Sequence, residues 1–258
     1  DIAVLNSDQV SSLSATQVQA FTTAQVEKLN TGVIAGLSNT QVDALSTAQV
    51  VALTTAQVGS LTAGSVTALS SGQVAALTNG QLGALSTSQV QAIETGDVAA
   101  MSTAQVNALS TTQVGALTTG QVAGLTTTQV SSLANPKLQA VSTAGIAALT
   151  SDQVVSLTTA QVAAVTTTQL QALTVGSVNA MTTTQVTALG VSQVASLTTG
   201  TVTALSSDQI ASLTTTQVGA LTTTQVAAVK ADQVVALTTA QVAKLSTTQL
   251  GALTEANV

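Results

Sequence analysis

The chain has 258 residues, with 4 Lys, no Arg and 10 Asp or Glu, for a net charge of −6. It contains no His, Cys, Trp or Tyr and a single aromatic, Phe21, so the usual residues of acid–base, thiolate and metal chemistry are missing. So are the clustered cations that displace counterions from nucleic-acid phosphates. Composition therefore predicts no enzyme, no catalytic, cofactor-binding or metal-ligating residue, and no nucleic-acid partner. Val and Leu must supply the core, and they are scattered singly among Thr, Ser and Gln. No run approaches the roughly 20 apolar residues of a membrane span, and no signal peptide is visible at Asp1.

In chain order, DIAVL (1–5) supplies the last five positions of an eight-residue unit. Complete octads begin at Asn6 with NSDQVSSL, SATQVQAF and TTAQVEKL, and continue without insertion or deletion to STTQLGAL, which ends at Leu253. That makes 31 complete octads over 6–253, and TEANV (254–258) opens another. The sequence thus predicts one continuous array over 1–258 with no distinct capping unit at either end, and from this we expect either a segment of a longer array or a subunit whose ends are covered by neighbours.

The consensus TTAQVAAL is informative position by position. Position five is always Val, Ile or Leu, position eight is apolar in every octad, and position seven is small except at Lys28 and Lys244. Position six varies freely, which marks it as solvent-facing. Positions five and eight are three residues apart, so a helix puts both on one face whereas a strand would oppose them. Position one is Ser or Thr in 25 octads and position four is Gln in 24, the S/T-x-x-Q capping box. In the same frame, the position-eight residue of one octad and position five of the next, such as Leu53 and Val58 or Leu109 and Val114, form a hydrophobic staple.

Individual residues fit this scheme. Asp8, Asp152, Asp208 and Asp232 fall in first turns, where they complement the positive end of the helix dipole. Pro136 reads as the first helical residue after an Asn135 N-cap, one residue later than the frame expects. Lys28 and Lys244 read as snorkelling cations, with pairing to acids of a neighbouring chain as the alternative. The departures from Gln at Val33, Ser65 and Asp97 are spaced by 32 residues, as are Gly145 and Ser177, which suggests four octads per structural turn. Lys137 and Thr201 lie outside that series.

An N-cap recurring every eight residues excludes a continuous helix. The predicted fold is all-α, a solenoid of very short helices of about five to seven residues, one per octad, stabilised only by stacking. A β-solenoid is the alternative, since Val and Thr are good strand formers and Gly recurs near position three.

The consensus string LTTAQVAAL resembles the octapeptide tracts of large repetitive bacterial surface or secreted proteins of adhesin-like type, and the resemblance covers the whole chain. It implies an extracellular or cell-surface location and a structural rod or fibre, self-associating end to end or continuing in a longer array. The stretch LTTTQVGAL at 213–221 also resembles the helix start of TAL-effector repeats. The longer repeat, base-reading loop and basic surface of that family are missing, so DNA binding is not implied. A binding module, including an ice-binding array of ranked Thr, is the second functional class.

Overall fold

The computed structural model describes residues 2–253, apart from the side chain of Ala3. After a single 3-10 turn at Ile2–Val4 it contains 31 α-helices and no strand among the described residues. The all-α solenoid-like arrangement is therefore observed and the β alternative is excluded. Each complete octad carries one helix, from α1 (Ser7–Ser11) to α31 (Thr247–Gly251), each of four to six residues. The partial octad at 254–258 lies outside the described residues.

Most helices end in one of two ways, with the C-cap extended at position eight or right-handed helical at position seven, as at Leu61 and Ala44. In the octad 54–61, the helix α7 (Thr55–Ser60) begins after Thr54 at φ −69°, ψ 160° and ends at Leu61 at φ −57°, ψ 143°. Two consecutive extended residues, at positions eight and one, thus separate neighbouring helices. No residue has positive φ and no peptide bond is cis among the described residues, so this turn needs no glycine. Position five closes each helix start by donating to the position-one carbonyl, as Val58 does to Thr54 at 3.0 Å. Position eight closes the end by donating back to position five, as Leu61 does to Val58 at 3.2 Å.

Such helices are too short to persist alone. Most of their position-five and position-eight side chains face inward: Val58, Val74, Leu82 and Val90 are fully buried, and position-eight residues such as Leu53, Leu77 and Leu109 are nearly so, while Val242 and Leu250 near the end of the second unit are exposed. The staple pairs predicted from sequence, Leu53 with Val58 and Leu109 with Val114, are buried together.

The contacts separate into two compact units, 1–133 and 134–258, with the boundary at the start of an octad. Within the first, each helix packs on the third helix along, as α7 packs on α4 (Thr31–Ala35) and α10 (Asn79–Ala84). The second unit follows the same rule, as in the packing of α18 (Thr143–Ala147) on α21 (Thr167–Ala172). Hydrogen bonds between layers join residues 25, 26, 28, 29, 30 or 31 apart. These separations lie between three and four octads. Within each unit a helix packs on its third neighbour while its N-terminal glutamine reaches the fourth octad back.

Two further expectations change. Asn135 is not an N-cap: α17 (Asn135–Ala140) starts in frame after Ala134, with Pro136 inside its first turn and no side-chain cap. The octad frame wins because the staple pair Leu133 and Leu138 is buried, which fixes the helix start one residue earlier. Position six is not a purely solvated site either. Thr67 Oγ1 donates to the Ala92 carbonyl at 3.0 Å, Asn107 Nδ2 to that of Ser132 at 2.9 Å, and Gln171 Nε2 to that of Ser196 at 2.7 Å. Replacing one buried residue tests the stacking: Leu82→Ala should cost about 2 to 5 kcal/mol in urea unfolding followed by helical circular dichroism, whereas Val51→Ala, at an exposed position six, should change stability by less than about 0.5 kcal/mol.

Candidate functional site

The most highly organised chemistry in the molecule is the glutamine at position four. In the octad 54–61, Thr54 N–H donates to Gln57 Oε1 at 2.7 Å and Gln57 N–H donates to Thr54 Oγ1 at 3.2 Å, the two reciprocal bonds of a capping box. Reading the sequence predicts this half. It does not predict the other half of the same carboxamide: Nε2 donates to the carbonyls of Val26 at 2.9 Å, Glu27 at 3.3 Å and Leu29 at 2.6 Å, four octads earlier. Those are carbonyls at the end of a helix one layer below; that of Val26 also accepts the Leu29 N–H of its own octad at 3.2 Å.

The same arrangement recurs along each unit. In the first, Gln41, Gln49, Gln57, Gln73, Gln81, Gln89, Gln105, Gln113, Gln121 and Gln129 all send Nε2 to the position-eight carbonyl 28 residues earlier, at 2.6 to 2.8 Å. In the second, the series runs from Gln169 to Gln249 over the same range of distances. All of these glutamines are buried. A sequence signal for the second bond exists: position four holds 24 Gln and no Glu, although Glu serves a capping box equally well. Only the amide carries a donor for the layer below.

Redundancy between the two halves of the cap shows in the exceptions. Where the position-one hydroxyl is missing, the glutamine bond persists, from Gly190 N–H to Gln193 Oε1 at 2.6 Å and from Lys230 N–H to Gln233 Oε1 at 2.8 Å. Where the glutamine is missing, the hydroxyl or amide cap persists, as at Asn30 with Val33, Thr62 with Ser65, Ser142 with Gly145, Thr174 with Ser177, and Thr198 with Thr201. Only the helices at Thr95–Ala100 and Asn135–Ala140 have no side-chain cap and no position-four glutamine.

The expected first-turn acids are in place at Asp8, Asp152, Asp208 and Asp232. Asp232 also accepts from Ser207 Oγ at 3.2 Å. Lys28 and Lys244 are exposed. The surface depressions are open and shallow; one, of about 430 Å³, is lined by Thr183, Thr184, Thr187, Ala188 and Ser212 and carries no ionisable group. No helix among the described residues is long and apolar enough to cross a membrane.

The glutamine reading predicts a specific contrast at Gln81, whose Oε1 accepts from Thr78 N–H at 2.8 Å while Nε2 donates to the Val50 and Leu53 carbonyls at 2.8 and 2.7 Å. Gln81→Ala should cost about 1 to 3 kcal/mol for each buried group left unpaired. Gln81→Glu should cost about 3 to 5 kcal/mol at neutral pH, because a buried carboxylate oxygen then faces carbonyl oxygens. That arrangement raises the folded-state carboxyl pKa above its unfolded value. Stability of the Glu variant is therefore retained below the ordinary Glu pKa of about 4.3 and lost as pH rises through the folded value. Urea titrations from pH 4 to 8 check the sign, and the Ala variant should show no such recovery on acidification.

The profile of the ALTTAQ repeat matches residues 28–63, 90–127, 137–167 and 200–231, together just over half of the chain. No curated protein matches it. The matched stretches include glutamines of the inter-layer series in both units, among them Gln49, Gln57, Gln113, Gln121, Gln209 and Gln225. The chain is a member of the ALTTAQ-repeat family.

Proposed function

We propose that the chain is a structural element of an extracellular or cell-surface fibre or adhesin stalk, with no catalytic role. The observation that carries this reading is the inter-layer glutamine bond, which each unit repeats with nearly constant geometry. A scaffold in which every layer meets the next by the same bonds is extended by adding layers, without any change of design. The composition supports a passive role, since the polar exterior is built from Ser, Thr and Gln rather than from groups that exchange protons or bind metals. The resemblance of the octads to tracts of large bacterial surface proteins supports the extracellular setting.

The same bonds name the contacts for assembly. Gln9, Gln17 and Gln25 are exposed, and each accepts only its own N-cap amide, through Oε1 at 2.8 to 2.9 Å. Their Nε2 groups are the donors that further octads, or the last described layer of a second copy, would satisfy. The carbonyls of Leu237, Leu245 and Leu253 occupy the complementary acceptor positions. A second copy docking in this way makes a head-to-tail contact, which propagates instead of closing.

A second reading, a binding face of ordered hydroxyls, has one observation in its favour: Thr47, Ser71, Thr95 and Thr119 are exposed on helices that each pack on the third along. The position-one hydroxyls do not contribute to it, because they are used as helix caps.

Sedimentation velocity and negative-stain microscopy over a concentration series test the assembly. The expected result is end-on association that lengthens with concentration and weakens in the triple variant Gln9→Glu, Gln17→Glu, Gln25→Glu. A chain that stays monomeric throughout contradicts self-association, and thermal hysteresis of freezing without assembly would favour the hydroxyl face instead.

A further inference from the structure

Asp97 stands at position four, where the octads on either side carry Gln89 and Gln105. It is 4% exposed, and its Oδ2 is fully enclosed without a hydrogen-bond partner. Its other oxygen, Oδ1, accepts from Ser71 Oγ at 2.5 Å. The octad also lacks a hydroxyl at position one, where Glu94 makes no side-chain cap. A buried carboxylate is costly unless its charge is compensated.

The surroundings of Asp97 are rich in acceptors and poor in donors. By the register of its neighbours, position four of this octad faces the carbonyls of Val66, Thr67 and Leu69: Gln89 Nε2 donates to Val58, Gly59 and Leu61, and Gln105 Nε2 to Val74, Ala75 and Leu77. A carboxylate carries no donor for those oxygens, and Asp97 is one methylene shorter than glutamine, so the place of the Nε2 donor is left without one. The helix Thr95–Ala100 packs on Ser71–Ala76 and Thr119–Gly124. None of the four lysines, at 28, 137, 230 and 244, belongs to these segments. No lysine of these segments supplies a counter-charge to a carboxylate at this position.

We propose that Asp97 and the backbone carbonyls of Val66, Thr67 and Leu69 form a site for one monovalent alkali cation. An all-oxygen set of one carboxylate and carbonyls suits a hard cation, and one carboxylate balances one positive charge. The cation takes the place of the glutamine amide, giving Asp97 its counter-ion and the carbonyls below the electropositive partner that Nε2 supplies in neighbouring octads; the Val66 carbonyl also accepts the Leu69 N–H at 3.1 Å. The octads at Ser65, Ser177 and Thr201 also lack glutamine but carry neutral hydroxyls, so the charge requirement is particular to Asp97 within this set.

Amide hydrogen exchange of the 258-residue chain at pH 7, in sodium, potassium or choline chloride at equal ionic strength, tests the site. Sodium or potassium should slow exchange over residues 66–69 and 94–101 by about tenfold or more relative to choline, through preferential binding to the folded state. Asp97→Gln restores the octad rule, so that variant should fold and should exchange slowly over these residues in all three salts. Equal exchange of the unaltered chain in the three salts, as a bridging water alone would give, overturns the proposal. A cation effect that persists unchanged in Asp97→Gln overturns it equally.

Discussion

The position-four carboxamide joins two helix ends that would otherwise be left with unpaired backbone groups. Its oxygen accepts the N-cap amide of its own helix, and its nitrogen donates to carbonyls at the C-terminal end of a helix one layer below, as at Gln57 and Gln129. A helix of six residues has most of its backbone groups at its termini. In most proteins such ends are solvated or capped one by one. Here a single neutral side chain serves the N-terminus of one helix and the C-terminus of another, so local capping and layer stacking become one interaction. Burial of Val and Leu supplies the apolar part of the cohesion, and the glutamine fixes the register in which that burial occurs.

The register explains why positions five, seven and eight are so restricted. A position-five residue such as Leu82 is fully buried, and the carbonyl behind it is an acceptor for the next layer: Gln113 Nε2 reaches the Leu82 carbonyl at 2.8 Å. Position seven lies against the layer three octads back. Ser60 Oγ donates to the Thr31 carbonyl at 3.2 Å, and a Cβ added at Gly124 would strike the Thr95 side chain. A bulky residue there would push the layers apart, whereas Lys28 and Lys244 extend into solvent.

Much of this was legible in the sequence, because it is local. The 31 octads, the helix starts, the staple of Leu53 on Val58 and the excluded continuous helix follow from spacing within one or two octads, and all are observed. What the sequence does not encode locally is the stagger between layers. The 32-residue spacing of Val33, Ser65 and Asp97 pointed to four octads per turn, yet these residues share no common contact: Val33 is a core residue, Ser65 Oγ pairs with Thr62 and Asp97 with Ser71. Packing on the third helix and bonding to the fourth octad follow from how helices settle against one another, and no single octad records either. The preference for Gln over Glu has no explanation in a capping box alone, which either residue completes; it reflects the bond to the layer below. Asn135 before Pro136 misled for the opposite reason: a strong local signal yields to the buried apolar frame around it.

The architecture depends on the glutamine nitrogens bonding between layers. Side-chain amide exchange, read by nuclear magnetic resonance on chain labelled at glutamine, measures this directly. The Nε2 hydrogens of the buried glutamines, such as Gln57, Gln81 and Gln217, should exchange orders of magnitude more slowly than those of exposed Gln9, Gln17 and Gln25, and their protection should fall together with that of the backbone amides as the layers open. Side-chain amides that all exchange at the rate of free glutamine, while the backbone remains protected, would contradict it.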